Sequence, residues 1–347
     1  MSDKKPSLAR IYAISTLVSL ALIAFVGARA GLSALILVLV LAALEITFSV
    51  DNAVINTRIL QRMSPAWQQA FLTVGIFIAV FIVRVLLPLY IVVWASGLSI
   101  STVTDLALNH PEQYGEHLSE AHPVISAFGG IFLLMIFLDF FFEKRRTKWL
   151  KKVETLLQNA GKLESLSVII ALGVTLWMSK LVGGHEQHVV LTSGIIGLFS
   201  YLAINSIDTL LEKTRKSGGA KAIASTGFKA GLIGFLYLNM VDASFSLDGV
   251  IGAFAITNQI FLIAVGLGIG ALYVRVLTLH MLRHGVLEQY KYMEHGAHYA
   301  IGILALIMLL SLKFEISEFV AGLAGVAFIA TAVLQSYIES KRAGTRA

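Results

Sequence analysis

The chain contains no cysteine among its 347 residues. Disulfides, thiolate metal sites and thiol redox chemistry are therefore excluded, and any metal ion must be held by oxygen or imidazole. Three catalytic signatures are also missing, namely His-Glu-x-x-His, Gly-x-Ser-x-Gly and a phosphate-binding loop, which makes an enzyme the least favoured class. The sequence lacks the basic soluble domain that nucleic-acid binding would need. Charge is scarce as well: 14% of residues are charged against 57% hydrophobic, with a mean hydropathy of +0.80. That apolar share is far above the soluble norm, so the chain reads as an all-α polytopic membrane protein whose first partner is the lipid bilayer.

A spanning helix needs about 20 mostly apolar residues. Ten segments meet that need, roughly 10–28, 32–57, 67–96, 123–142, 164–182, 188–211, 224–256, 259–282, 296–313 and 317–338. Their continuous apolar runs predict helices, because barrel strands would alternate. Lys and Arg gather before the first span (Lys4, Lys5, Arg10), after the second (Arg58, Arg62) and after the fourth (Lys144 to Lys162). They gather again after the sixth, the eighth and the tenth (Lys341, Arg342, Arg346). These are alternate connections, so the positive-inside bias puts both termini in the cytoplasm of a cell whose inner membrane holds the protein. The net charge of +6 is mainly that topology signal. Ala28-Arg29-Ala30 before Gly31 has the form of a signal-cleavage site, but the long apolar run favours an uncleaved first helix.

Two stretches organise the rest. Glu45-Ile46-Thr47-Phe48-Ser49-Val50-Asp51-Asn52 and Asp242-Ala243-Ser244-Phe245-Ser246-Leu247-Asp248-Gly249 share an acid, a hydroxyl, Phe, Ser, a branched aliphatic and Asp in register. Each lies inside an apolar run, where a carboxylate costs at least ~2.5 kcal/mol. The span after each stretch carries a deep arginine in similar surroundings, Arg84 and Arg275. The unit of acid-bearing helix, Arg-bearing helix and third helix therefore recurs, entering from the opposite side the second time, as in inverted-repeat transporters. The expected division is an N-terminal helix (1–31), a first repeat unit (32–142), a basic segment with two spacer helices (143–223), a second repeat unit (224–313), and a final helix with a basic tail (314–347).

On an unbroken helix Glu45 and Asp51 would point about 120° apart and lie ~9 Å apart along the axis. Glu45, Ser49 and Asn52 would form one polar stripe. Both acids can reach a single ion only if the helix is distorted, which Thr47, Ser49, Ser244 and Ser246 can promote by bonding back to carbonyls. Hard oxygen ligands suit Mg²⁺, Ca²⁺ and Mn²⁺. The candidate metal ligands are Glu45, Asp51, Asn52, Asp242 and Asp248, with Ser49 and Ser246 in support and Arg84 and Arg275 balancing charge. With all four acids ionised the cluster carries two negative charges in excess, which a divalent cation would neutralise and which protons can replace. The alternative reading, buried ion pairs that lock helices together, is disfavoured because such pairs stabilise poorly.

Other polar residues receive plainer readings. Residues 97–122 hold His110, Glu112, Glu116, His117, Glu120 and His122 without Lys or Arg, and read as a solvated acidic loop. Trp149, Leu150, Val153, Leu156 and Leu157 within the basic segment predict an amphipathic surface helix. Asn205 and Asp208 stand near a helix end where they could line an entry, and Asp139 ends the fourth span. His280 and His284 read as solvated.

At the two acidic stretches the chain resembles the TerC family of integral membrane proteins, within the wider lysine-exporter-like group. The family's acid-x-x-x-Ser-x-Asp-Asn pattern is met by Glu45, Ser49, Asp51 and Asn52. Its Asp-x-x-Phe-Ala-x-Asp-Ser-x-Pro-Ala pattern is met at Asp242, Phe245 and Asp248, and its helix arginines by Arg84 and Arg275. Gly249 stands where that family has Ser, and Ile251 where it has Pro. The resemblance implies export of a divalent cation, Mn²⁺ first, as transported cargo with no resident cofactor. It also brings tellurium-resistance naming and, in plastid relatives, a role in membrane-protein insertion. Two other expectations compete with metal export: an exporter of small organic cations or amino acids, and a non-transport scaffold assisting membrane-protein assembly.

Overall fold

The computed structural model describes residues 8–163, 165–184, 186–217, 220–314, 316 and 318–344. Every regular element among them is helical. The first, α1 (Leu8–Phe48), turns at Gly31, whose φ of 81° and ψ of −175° are conformations that glycine adopts at no steric cost. The expected first span and the start of the second are the two arms of this one bent helix. The second arm stops at Phe48, and after Ser49 (φ −104°, ψ 18°) the chain resumes as α2 (Val50–Leu60). The second expected span is therefore broken inside its acidic stretch.

A proline in its first turn opens α3 (Pro65–Phe77), where no intrahelical donor is lost. The helix widens into a π-helical segment over Ile78–Leu86, continues as α4 (Leu87–Ser96) and ends at left-handed Gly97. Residues 97–122, read above as a loop, instead fold into α5 (Ile100–Asn109) and α6 (Pro111–Glu120). Val103 with Ala107, and Tyr114 with Leu118, bury one face of each. Spacing of four residues gives that face, while the acidic and imidazole side chains occupy the others. At ten residues each, these helices are too short to span a bilayer.

The remaining elements are α7 (His122–Phe142), α8 (Lys151–Ala160), α9 (Leu166–Val182), α10 (Glu186–Ser217), α11 (Ala220–Ile256), α12 (Ile260–His284), α13 (Val286–Gln289), α14 (Met293–Ser311) and α15 (Glu318–Gly344). Eight helices among the described residues are long and apolar enough to cross a membrane, and α9, with 17 residues, is a shorter apolar one. The protein is thus an all-α polytopic membrane protein. α7 is buried between α10 and α14, and its Phe132, Leu133 and Met135 are sealed from the surface.

α12 runs along α1 because glycines let the backbones approach. A Cβ at Gly266 would stand 2.6 Å from Leu41 Cβ, and one at Gly270 would stand 2.4 Å from Glu45 Cβ. This crossing carries an acid of the first half onto a helix of the second.

Candidate functional site

Glu45 sits at the end of α1, buried against Gly270 of α12 and accompanied by Ser49, whose hydroxyl donates to Glu45 Oε1 at 3.3 Å. The Arg84 guanidinium donates from Nη2 to the same carboxylate oxygen and from Nη1 to the Ala79 carbonyl at 2.7 Å. Ala79 and Arg84 both lie in the π-helical segment. Such a widened turn is a common feature of functional sites in helices, and here it carries the arginine that meets Glu45.

The second half repeats the pairing. Arg275 on α12 donates from Nη2 to Asp242 Oδ2 at 3.0 Å and from Nη1 to the Phe71 carbonyl at 3.2 Å, while its Cζ lies 3.8 Å from the centre of the Phe71 ring. Both arginines and both acids are almost fully buried. A Cβ at Gly75 would stand 2.8 Å from Arg275 Nη1, so this glycine makes room for the guanidinium.

A residue of the first acidic stretch reaches the second pair. Asn52 Nδ2 donates to Asp242 Oδ1 at 2.9 Å, tying α2 to α11. A Cβ at Gly249 would meet Glu45 Oε2 at 3.4 Å, which places the second acidic stretch beside the first acid. The side chain of Asp248 lies outside the described residues.

Asp51 behaves differently. Its Oδ1 accepts from the Asn52 backbone N–H at 2.8 Å, one of the donors exposed by the break at Ser49. Its Oδ2 faces α15, 3.9 Å from a Cβ built on Gly325. An acid in the first turn of α2 also complements the positive end of that helix. The structure therefore groups Glu45, Ser49 and Arg84, and groups Asn52, Asp242 and Arg275, while turning Asp51 toward another helix. Among the described residues no three His, Asp or Glu side chains converge as a ready metal-binding group.

Several buried polar atoms at this junction have no protein partner among the described residues: Asn52 Oδ1, Asn56 Oδ1, Ser246 Oγ and Arg84 Nε. Unsatisfied buried oxygens are uncommon in native folds. Three of these four atoms are neutral oxygens of the type that serves a hard cation. Asn56 follows Asn52 by four residues and extends the polar stripe of the first stretch by one turn. The same periodicity would have found it in the sequence. Thr47 and Ser244 do bond back to their own helices, at 2.7 Å and 3.0 Å, whereas Ser49 turns to Glu45 and Ser246 is left over. The π-helical segment and the Phe71 contacts have no such signal in the sequence.

A cleft of about 1110 Å³ opens nearby, walled by Ile55 of α2, Tyr237 of α11, Asn205 of α10, and Asp139, Arg58 and Glu294. Ile55 lies one turn beyond Asp51, and Tyr237 a little over a turn before Asp242. Asn205 lines this cleft, while the side chain of Asp208 lies outside the described residues. Asp139 accepts from the Tyr201 hydroxyl at 2.8 Å, and Arg58 Nε pairs with Glu294 Oε1 at 3.0 Å. On the same wall, burial lowers the pKa of Arg145 from the ordinary guanidinium value, opposed by the nearby Glu294 and Glu143 carboxylates.

The family described as Protein of unknown function (DUF475) matches residues 50–343, from the second residue after the Phe48 helix end to the close of α15. No curated protein and no solved structure matches the chain.

Proposed function

We propose that this member of the DUF475 family is a secondary transporter that exports a divalent metal cation, Mn²⁺ first, through the junction of Glu45, Asp51, Asn52, Asp242 and Asp248. The observation that carries the reading is the occurrence of two buried acid–arginine pairs, Glu45–Arg84 and Asp242–Arg275, the second of them held by Asn52 from a helix broken in its acidic stretch. In the proposed cycle Arg84 and Arg275 neutralise Glu45 and Asp242 when no cargo is bound. An arriving divalent ion takes over the carboxylates, and the guanidiniums withdraw to the Ala79 and Phe71 carbonyls that they already touch. Asn52, Asn56 and Ser246 supply neutral oxygens. Asp51, held apart from both arginine pairs, is suited to carry a proton in exchange.

The same proposal adopts the finer readings of the sequence: kinship to the TerC family, ten spans, inverted repeats at 32–142 and 224–313, an uncleaved first helix and cytoplasmic termini in an inner membrane. The wide cleft is then the cytoplasmic entrance.

The test is flux of Mn²⁺ into proteoliposomes loaded with a metal-sensitive dye, compared with intracellular Mn²⁺ in cells grown in excess metal. Wild type should move Mn²⁺ inward and alkalinise the lumen in step as protons leave in exchange, and Asp51→Asn and Asp248→Asn should not. Competition by amino acids or small organic cations would identify those as cargo instead. Unaltered cell phenotypes in both variants would favour a scaffold role in membrane-protein assembly or tellurium resistance.

A further inference from the structure

A second feature lies at the ends of the spanning helices, on the segment between α7 and α9. The segment between α7 and α9 folds onto the ends of α14 and α15 and is held there by Glu154 of α8. This carboxylate is buried and accepts from the backbone N–H groups of Trp149 (3.1 Å) and Leu150 (3.0 Å), with the Tyr299 hydroxyl at 3.4 Å and His295 Nε2 at 3.6 Å. The Trp149 indole is buried too, and its Nε1 donates to Gln335 of α15 at 2.7 Å. The backbone of the basic segment is thus fixed to the helix bundle.

That frame shapes a groove of about 970 Å³. Arg146, Lys148, Lys151, Lys152 and Lys291 line it, and among the described residues the only acid on its wall is Glu339, already paired with Lys291. Lys148 Nζ also donates to the Thr155 hydroxyl at 2.9 Å, and Lys291 Nζ lies 4.6 Å from the centre of the Tyr292 ring. Alongside these cations, Leu150 just before α8 and Val153 and Leu156 on it are exposed, Leu156 to 70%. Apolar side chains next to a cluster of cations, at the mouths of spanning helices, match the interface between acyl chains and headgroups.

We propose that this groove is a binding site for the phosphate headgroup of an anionic membrane phospholipid, with Leu150, Val153 and Leu156 set among its acyl chains. The occupant is argued from charge complementarity: five cations face one acid, and the exposed leucines and valine favour a ligand that brings hydrocarbon with its phosphate. The site is independent of the paired acids and does not depend on what the protein transports.

The experiment uses the full chain in neutral detergent micelles, with native mass spectrometry and thermal unfolding as readouts. Short-chain phosphatidylglycerol, short-chain phosphatidylcholine and inorganic phosphate are added separately. Phosphatidylglycerol should be retained and should raise the midpoint, phosphatidylcholine should do neither, and rising salt should weaken the effect. In Lys148→Ala/Lys151→Ala/Lys152→Ala, which leaves Glu154 and Trp149 in place, retention should weaken by roughly a hundredfold. A Leu156→Ser variant should weaken phosphatidylglycerol binding several-fold without altering the charge. Equal retention of the two lipids, unchanged binding in the triple variant, or equal protection by inorganic phosphate would each overturn the assignment.

Discussion

Asn52 donates its side-chain N–H to Asp242 across 190 positions of sequence, at 2.9 Å. The amide makes that bond while both residues are buried, and it leaves Asn52 Oδ1 facing a junction with no protein donor among the described residues. A residue from the broken helix thus positions the carboxylate that Arg275 neutralises.

Replacing Asn52 with Ala removes that donor from a buried carboxylate. The expected cost is ~1–3 kcal/mol of stability. Thermal unfolding in detergent measures it, and Asn52→Asp, which sets two carboxylates together, should unfold earlier still unless Mn²⁺ is supplied. A metal-independent midpoint in Asn52→Asp would count against cation binding here.

Arg84→Met strands Glu45 in the bundle, and losing one member of a buried pair costs about 3–5 kcal/mol. Glu45→Met/Arg84→Met should regain most of that stability, since apolar packing replaces a desolvated pair. The pair of variants separates structure from transport: if the double variant folds and also carries Mn²⁺, the Glu45–Arg84 pair is only a latch.

Glycines around Glu45 should respond in opposite ways. Gly270→Ala puts a methyl 2.4 Å from the stem of Glu45, and overpacking of this kind costs ~1–3 kcal/mol. At Gly249 a Cβ has ordinary contact with Glu45 Oε2, so Gly249→Ser should fold normally and bring a hydroxyl to the carboxylate. Isothermal titration with Mn²⁺ should then show tighter binding in Gly249→Ser than in wild type.

Asp51→Asn keeps a side-chain oxygen able to accept the Asn52 N–H, so its unfolding midpoint should fall by only a few degrees. Proton-coupled Mn²⁺ flux should fall at least tenfold. Coupled flux at the wild-type rate would restrict Asp51 to capping α2.

Glu154→Ala removes the acceptor for two backbone N–H groups near the start of α8. Limited trypsin digestion should then cut at Lys151 and Lys152 many times faster than in wild type, with α7 and α14 still protected. Unchanged cleavage would mean that packing of Trp149 alone holds the segment.

The acids and arginines could be singled out in the sequence because each is expensive at depth and each pattern occurs twice. That cost singled the residues out, and the geometry adds which of them meet: Glu45 with Arg84, and Asp242 with Arg275 and Asn52. Asp51 shares a motif with Glu45 yet faces α15, since the break at Ser49 turns the chain by an amount that no residue count supplies. Residues 97–122 read as a loop in sequence because ten-residue amphipathic segments rich in acids resemble one until something packs on Val103 and Tyr114.

Local chemistry alone determined the helical membrane-embedded character and the amphipathic surface helix, since backbone hydrogen bonding in lipid leaves few options to an apolar chain. Tertiary structure alone decided the widened helix at Arg84, the stacking of Arg275 on Phe71, the link from Asn52 to Asp242 and the groove beneath the basic segment. These depend on the approach of helices distant in sequence, set by small residues such as Gly270 and by the packing of many side chains at once.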